Sequence, residues 1–330
     1  MAPHPQRLTI TRRGWALARP ITTAHGVETT ADVVIAEISD GDSRGRGECV
    51  PVTRYGESID SVVAALDAMK GAVFSGLERE TLQRALPPGA ARNALDCAFW
   101  DIDAKRAYRS VAELAGLGAL APVATAFTLA RDTPEKMAEL AAANRARPLL
   151  KLKLGGEGDI ARVRAVRDAA PASRLIVDAD EGWSEAQLSE FMPVLADLRV
   201  ELIEQPLPAD ADDALTRVAH SIPLCADESC RTLADLDRLD RKYEAINIKL
   251  DKAGGLTEAL ALAAEAKRRG LRVMVGGMVG TSLGVAPALL VAQQAEIVDL
   301  DGPLLLASDR VPGLRYDGTM IHPPDPTFWG

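Results

Sequence analysis

The chain has 330 residues, 47% hydrophobic and 26% charged, the composition of an ordinary globular protein with room for a barrel of roughly 200–250 residues and a smaller second unit. Its formal charge of −9 gives no basic field for nucleic acid or anionic lipid, and no apolar run reaches the ~18 residues of a membrane span. Four cysteines without CxxC spacing, and an N-terminus without signal-peptide order, lead us to expect a cytoplasmic protein lacking a disulfide framework.

Residues 6–49 read as strands. Leu8-Thr-Ile-Thr opens the first, and Asp32-Val-Val-Ile-Ala-Glu-Ile runs into the turn Asp40-Gly-Asp-Ser-Arg-Gly, the pattern of an antiparallel meander. Residues 57–116 read as helical; within 90–107, Ala91, Leu95, Ala98, Phe99 and Ile102 form one apolar stripe at helical spacing. Pro122 then opens a repeating array. Its apolar strand runs are 123–129, 149–154, 175–177, 200–203, 223–226, 245–248, 271–275 and 296–300, with amphipathic helices expected between them. Ser184-Glu-Ala-Gln is a capping box, and the helix over 256–269 stops at Gly270. Cys97 and Cys225 read as core fillers. A Pro- and Gly-rich tail follows Pro303 and is expected to pack back on the N-terminal unit.

Strand ends in this array carry a charge or a glycine at a nearly constant interval. Lys153, Asp178, Glu204, Asp227, Lys249, Gly276 and Asp299 are separated by 25, 26, 23, 22, 27 and 23 residues. That is about the chain needed for one strand, one helix and two connections. Charges recurring at strand ends place the chemistry at the C-terminal rim of a β/α barrel.

Lys151 and Lys153 share one face of the strand Leu150-Lys-Leu-Lys-Leu. On an exposed edge they would be solvated, but a parallel sheet covered by helices turns them into the barrel. Two neighbouring ammoniums are expected to lower each other's pKa and bring one into the range of a general base. Asp178, Glu204 and Asp227 end three successive strands. Each alone could be a helix cap or an ion-pair partner, but three anions converging at one rim call for a hard divalent cation such as Mg²⁺. Lys249 ends the sixth strand, across the mouth from Lys153. Two lysines facing each other over a metal suit removal of a proton from one face of a carbon and its return to the other, with the metal stabilising the intervening enolate.

This pattern of KxK, Asp, Glu, Asp and Lys on successive strands resembles the enolase superfamily, in its muconate-lactonising subgroup. The stretch Val298-Asp-Leu-Asp-Gly-Pro at the eighth strand resembles that of dipeptide epimerases. Arg54-Tyr-Gly-Glu-Ser, Ala90-Ala-Arg-Asn-Ala-Leu-Asp-Cys-Ala-Phe-Trp-Asp and Ile246-Asn-Ile-Lys-Leu-Asp-Lys-Ala-Gly-Gly-Leu look like the bacterial L-Ala-D/L-Glu epimerases of muropeptide recycling. The resemblance implies a modified (β/α)7β barrel over 121–303, an α+β capping domain over 1–120 and a returning tail over 304–330. It implies Lys153 and Lys249 as the acid/base pair, and Lys151 beside the substrate carboxylate. Asp178, Glu204 and Asp227 would hold Mg²⁺, with Mn²⁺ as substitute, and Asp299 and Asp301 would receive a dipeptide's N-terminal ammonium.

Two positions depart from the family pattern. Asp180 stands where an asparagine is usual. The loop over 22–30, which in relatives supplies an arginine for the substrate's acidic side chain, carries His25 and Glu28 and no arginine; His25 is the expected substitute. The competing readings are an N-acyl amino acid racemase or lactonising enzyme of the same superfamily, a Schiff-base aldolase acting through one lysine, and a non-catalytic barrel. The expected partner is a small dipeptide, with neither nucleic acid nor membrane, and a homo-oligomer is left open.

Overall fold

In the computed structural model, which describes residues 6–23 and 26–330, the N-terminal unit is a meander of β1 (Arg7–Thr23), β2 (Gly26–Ser39) and β3 (Arg44–Cys49), paired antiparallel in that order. The turn between β2 and β3 is tied by Asp40 Oδ1, which accepts from the Asp42 and Ser43 N–H groups at 3.1 and 2.7 Å. The helix α1 (Ala90–Ala107) crosses β3 so closely that a Cβ on Gly45 or Gly47 would lie 2.2 or 2.1 Å from the Ala98 or Ala94 carbonyl oxygen. Only glycine fits there.

Sequence periodicity gives α1 a single apolar stripe, but thirteen of its eighteen residues are buried. The helix is a filling between two layers. Leu95, Ala98, Phe99 and Ile102 join the meander core, while Cys97, Trp100 and Ala104 join the barrel's. Its buried polar residues are bonded to the barrel: Arg92 donates to the Ala253 and Gly254 carbonyls, and Asp96 accepts from Thr257 N–H and Oγ1. Buried polar groups with partners cost little, so this stretch can be covered on nearly all sides.

The eight parallel strands are β4 (Phe127–Leu129), β5 (Leu149–Lys153), β6 (Arg174–Asp178), β7 (Val200–Glu204), β8 (Leu224–Ala226), β9 (Ala245–Lys249), β10 (Arg272–Gly276) and β11 (Ile297–Asp299), adjacent in sequence order. An N–H···O bond of 2.8 Å from Ala126 to Val298 draws the two edges together. The run expected as one strand over 123–129 divides. Val123–Ala124 pairs with Met320–Ile321 of the tail, and only β4 enters the barrel. The tail continues to the cap, where Trp329 Nε1 donates to the Arg46 carbonyl at 2.9 Å and Gly330 N–H to Asp101 Oδ1 at 2.8 Å.

The connecting helices include α2 (Pro134–Ala143), α3 (Asp159–Ala169), α4 (Glu185–Asp197), which opens on the Ser184–Gln187 capping box, and α5 (Leu256–Arg268), followed by Gly270 at φ 81°. The expectation of a helix between every pair of strands fails twice. Only 3₁₀ turns, Asp212–Thr216 and Leu233–Arg238, link β7 to β8 and β8 to β9. Asp235 caps the second turn by accepting from the Arg231 and Thr232 N–H groups, and Asp212 of the first is held by the Ser229, Lys242 and Tyr243 side chains. Among the described residues no helix is long and apolar enough to cross a membrane.

Inside the barrel, side chains lie in layers. The floor is Ala126, Leu149, Ile176, Leu202, Cys225, Ala245, Met274 and Ile297, one packed apolar cluster. Two residues further along each strand, the inward positions are Thr128, Lys151, Asp178, Glu204, Asp227, Asn247, Gly276 and Asp299.

Candidate active site

The second layer is a nearly water-free set of charges. Lys151 is 2% exposed, and its Nζ lies 3.0 Å from Asp178 Oδ2, 2.8 Å from Glu204 Oε2 and 2.7 Å from Asp299 Oδ2. Lys153, one step nearer the mouth and partly exposed, reaches Asp178 Oδ2 at 2.8 Å and Asp180 Oδ1 at 3.6 Å. On the far side Lys249 Nζ lies 2.5 Å from Asp227 Oδ2. Asp178, Glu204 and Asp227 therefore sit between two lysines, as their positions on consecutive strands require.

The mutual lowering expected of the Lys151–Lys153 pair is not what this arrangement produces. Burial pushes both ammoniums down, but the facing carboxylates, Asp178 foremost, outweigh it and raise both. Lys249 is raised in the same way: burial opposes, and Asp227 prevails. Asp178 and Asp227 are held low by lysines against the upward push of burial. Glu204 goes the other way, up to about 7, because burial and the neighbouring Asp178 charge outweigh Lys151. Two carboxylates this close cannot both ionise freely.

A ligand oxygen from each of Asp178, Glu204 and Asp227 falls within 4.8 Å of the others. Asp178 Oδ2, Glu204 Oε2 and Asp227 Oδ1 are buried and accept no hydrogen bond of acceptable geometry, meeting only lysine charge. One under-satisfied oxygen on each of three convergent carboxylates is a donor set that fits a hard divalent cation.

The eighth strand supplies the other anionic corner. Asp299 bonds Lys151, whereas Asp301, 4% exposed, accepts from Thr128 N–H at 2.6 Å and Thr128 Oγ1 at 3.3 Å and has no ion-pair partner among the described residues. Burial, then the Asp299 charge, raises its carboxyl to about 7. His25 lies outside the described residues. Asp251, two residues beyond Lys249, turns away from the site and accepts from Val50 N–H and Asn93 Nδ2 at the cap.

Three residues of the site were missed from sequence. Asn247 Nδ2 donates to Glu204 Oε1 at 2.7 Å; Lys252 Nζ lies 2.5 Å from Asp227 Oδ1 and donates to the Cys230 and Asn247 carbonyls; Thr128 binds both aspartates of the eighth strand. Asn247 was findable, since it precedes Lys249 by two residues and must share its face, as Lys151 does with Lys153. Lys252 lies past the strand end, where alternation no longer applies.

Comparison with known proteins agrees with this geometry. Residues 6–116 match the model of the mandelate racemase / muconate lactonizing enzyme N-terminal domain, and residues 135–325 that of the enolase C-terminal domain-like family. The chain is 45% identical to an L-Ala-D/L-Glu epimerase of Escherichia coli K12 over 93% of its length and 97% of that protein's. It is equally 45% identical to an N-acetyl-D-glutamate racemase of a Pseudoalteromonas species, over 90% and 95%. An enolase family member from Agrobacterium tumefaciens with homology to dipeptide epimerases, solved with sodium and L-Ala-L-Glu, superposes with a TM-score of 0.97 at 51% identity, covering 99% of this chain and all of that one. A dipeptide epimerase of Enterococcus faecalis V583, complexed with Mg and L-Leu-L-Tyr, superposes with a TM-score of 0.90 at 28% identity, over 97% and 98%.

Proposed function

This chain belongs to the mandelate racemase/muconate lactonizing family of the enolase superfamily, and from that premise we propose that it is a cytoplasmic, Mg²⁺-dependent L-Ala-D/L-Glu epimerase. It is an epimerase, inverting a carbon whose proton lies beside a carboxylate. The observation that carries the reading is the placement of Lys153 on β5 and Lys249 on β9, with Asp178, Glu204 and Asp227 on the three strands between. Lys153, once neutral, takes the α-proton of the second residue from one face, and the Lys249 ammonium delivers one to the other. The reverse reaction exchanges their roles. Lys151 holds positive charge beside the substrate carboxylate. A Mg²⁺ ion bound by the three carboxylates would supply further positive charge as the carboxylate gains electron density.

The free amino group decides between a dipeptide and an N-acyl acid. Asp299 is already committed to Lys151, so Asp301 is the carboxylate that meets an incoming ammonium, which needs an anionic partner when buried. An N-acylated substrate brings no such charge.

The test is α-proton exchange in D₂O, followed by mass spectrometry, over a dipeptide set and N-acetylglutamate. L-Ala-L-Glu is expected to exchange at least tenfold faster than N-acetylglutamate at equal concentration. The opposite order would transfer the assignment to N-acyl racemisation and leave the two-lysine chemistry standing.

A further inference from the structure

The chain leaves β6 through a turn whose backbone is unusual. Asp180 and Glu181, neither of them glycine, are both left-handed at φ 53° and 63°. Such a pair is strained and persists only where the surroundings over-determine it. Asp180 N–H is bonded to Asp178 Oδ1 at 3.1 Å, Glu181 N–H to the Gln205 carbonyl at 3.0 Å and Gly182 N–H to the Ala179 carbonyl at 2.8 Å. The Glu181 carboxylate then accepts from Ala209 N–H at 2.7 Å and, across the domain boundary, from Arg54 Nε at 2.6 Å and Nη2 at 2.9 Å. This fork uses both carboxylate oxygens, the two-pronged geometry that arginine makes and lysine cannot. Burial would raise the Glu181 carboxyl, but Arg54 and the Ala209 N–H hold it below its usual value.

The turn matters because of what it aims. It starts directly after Asp178 and carries Asp180, and these are the two acids that face Lys153. Arg54 stands in a short 3₁₀ turn of the cap, Thr53–Tyr55. Its neighbour Tyr55 lies under the Arg231 guanidinium at 3.8 Å, on the loop that follows Asp227.

We propose that Arg54 is a positioning residue: by gripping Glu181 it fixes the strained turn after β6 and so couples seating of the cap to the placement of Lys153 and Asp178. The inference rests on the two-lysine reading. It predicts damage greatest on one face of the substrate, because the Arg54–Glu181 pair acts directly on the turn beside Lys153, whereas Lys249 is paired with Asp227 on another strand end.

The experiment compares α-proton exchange from each diastereomer of Ala-Glu in the wild type and in Arg54→Ala, Arg54→Lys, Glu181→Gln and the Arg54→Ala/Glu181→Gln double variant, with Mn²⁺ affinity measured by EPR titration. Lys153→Ala and Lys249→Ala identify which diastereomer reports which lysine. With exchange read at saturating metal, Arg54→Ala is expected to slow the Lys153 face at least tenfold and leave the Lys249 face within about threefold, and the separate titration is expected to show Mn²⁺ affinity weakened about tenfold. Arg54→Lys should recover little, and the double variant should be no worse than either single one. Equal loss on both faces, or no loss on either with Mn²⁺ affinity intact, overturns the proposal. If neither lysine control silences one face, the two-lysine reading has failed instead, and the Mn²⁺ titration alone decides the clasp: unchanged affinity in both Arg54→Ala and Glu181→Gln rejects it. Arg54 is 44% exposed, so its replacement leaves no cavity, and a thermal melt matching the wild type's confirms that each variant is folded.

Discussion

The floor of the barrel and the layer above it are built from the same eight strands, two residues and roughly 6–7 Å apart. Yet one is wholly apolar and the other almost wholly polar. Ile176, Leu202 and Cys225 are fully buried, and so are Asp178, Glu204 and Asp227 one register step above them, at 1%, 0% and 1% exposure. Burial therefore does not separate core from site here; partner chemistry does. The floor gains from removing apolar area from water. The upper layer must offset the loss of hydration of each charge with an opposite one, which is why Lys151 is surrounded by three carboxylates. A fold at its most stable would fill both layers with Leu and Ile, so the second layer exists for chemistry and is supported by the first.

Substitutions in the two layers should thus separate activity from stability. The largest effect is expected from the metal site. Chelation should bring epimerisation below detection, and added Mg²⁺ should restore it. Asp227→Asn should weaken Mn²⁺ binding in an EPR titration and lower turnover by orders of magnitude. A fully active chelated enzyme would remove the metal from the mechanism.

Next come the two bases. Lys153→Ala and Lys249→Ala should each lower epimerisation by roughly 10²–10⁴-fold, the usual contribution of a positioned acid/base group. Each should retain deuterium exchange on one diastereomer only, read by NMR. Full epimerisation by either variant would end the two-face assignment.

The floor should respond in the opposite way. Leu202→Ala leaves a cavity beneath Glu204 and is expected to cost about 2–5 kcal/mol in a urea melt. The kcat of the folded enzyme should stay within a few-fold. A loss of kcat as large as that of the lysine variants, at unchanged stability, would show that the two layers are not separable.

How much of this could be read in the sequence follows from periodicity. The interval between strand ends located the acidic trio and both lysines, because strand alternation is a rigid rule. It failed where the governing contact lies across domains. The helix α1 carries Arg92, Asn93 and Asp96 at buried positions, and no local pattern tells that their partners are Gly254, Asp251 and Thr257, some 160 residues away. The direction of the lysine shifts is hidden for a related reason, since their partners lie within the barrel but far away in sequence. Lys151 and Lys153 are neighbours in sequence, whereas the carboxylates that dominate them come from β6, β7 and β11.

The smallest effect concerns the free amino group and its pH dependence. Asp301 has a folded pKa of about 7 against an ordinary 3.8, raised by burial and by Asp299. Below pH 7 it is largely neutral and offers an ammonium no charge; above it the carboxylate is formed. KM for L-Ala-L-Glu should therefore fall as pH rises from 6 to 8, on the order of tenfold across that interval, since each pH unit below the pKa costs a tenfold loss of the ionised form. Stability runs the other way. The folded state holds this proton more tightly than the unfolded chain, so Asp301 contributes most below about pH 4, and that contribution is lost as pH rises through about 7. Asp301→Asn should flatten both trends, raising KM for the dipeptide at pH 8 while removing the decline in urea midpoint between pH 4 and 7. A KM profile unchanged by Asp301→Asn would show that the amino group is met elsewhere, and would return the choice between dipeptide and N-acyl substrate to the loop that carries His25.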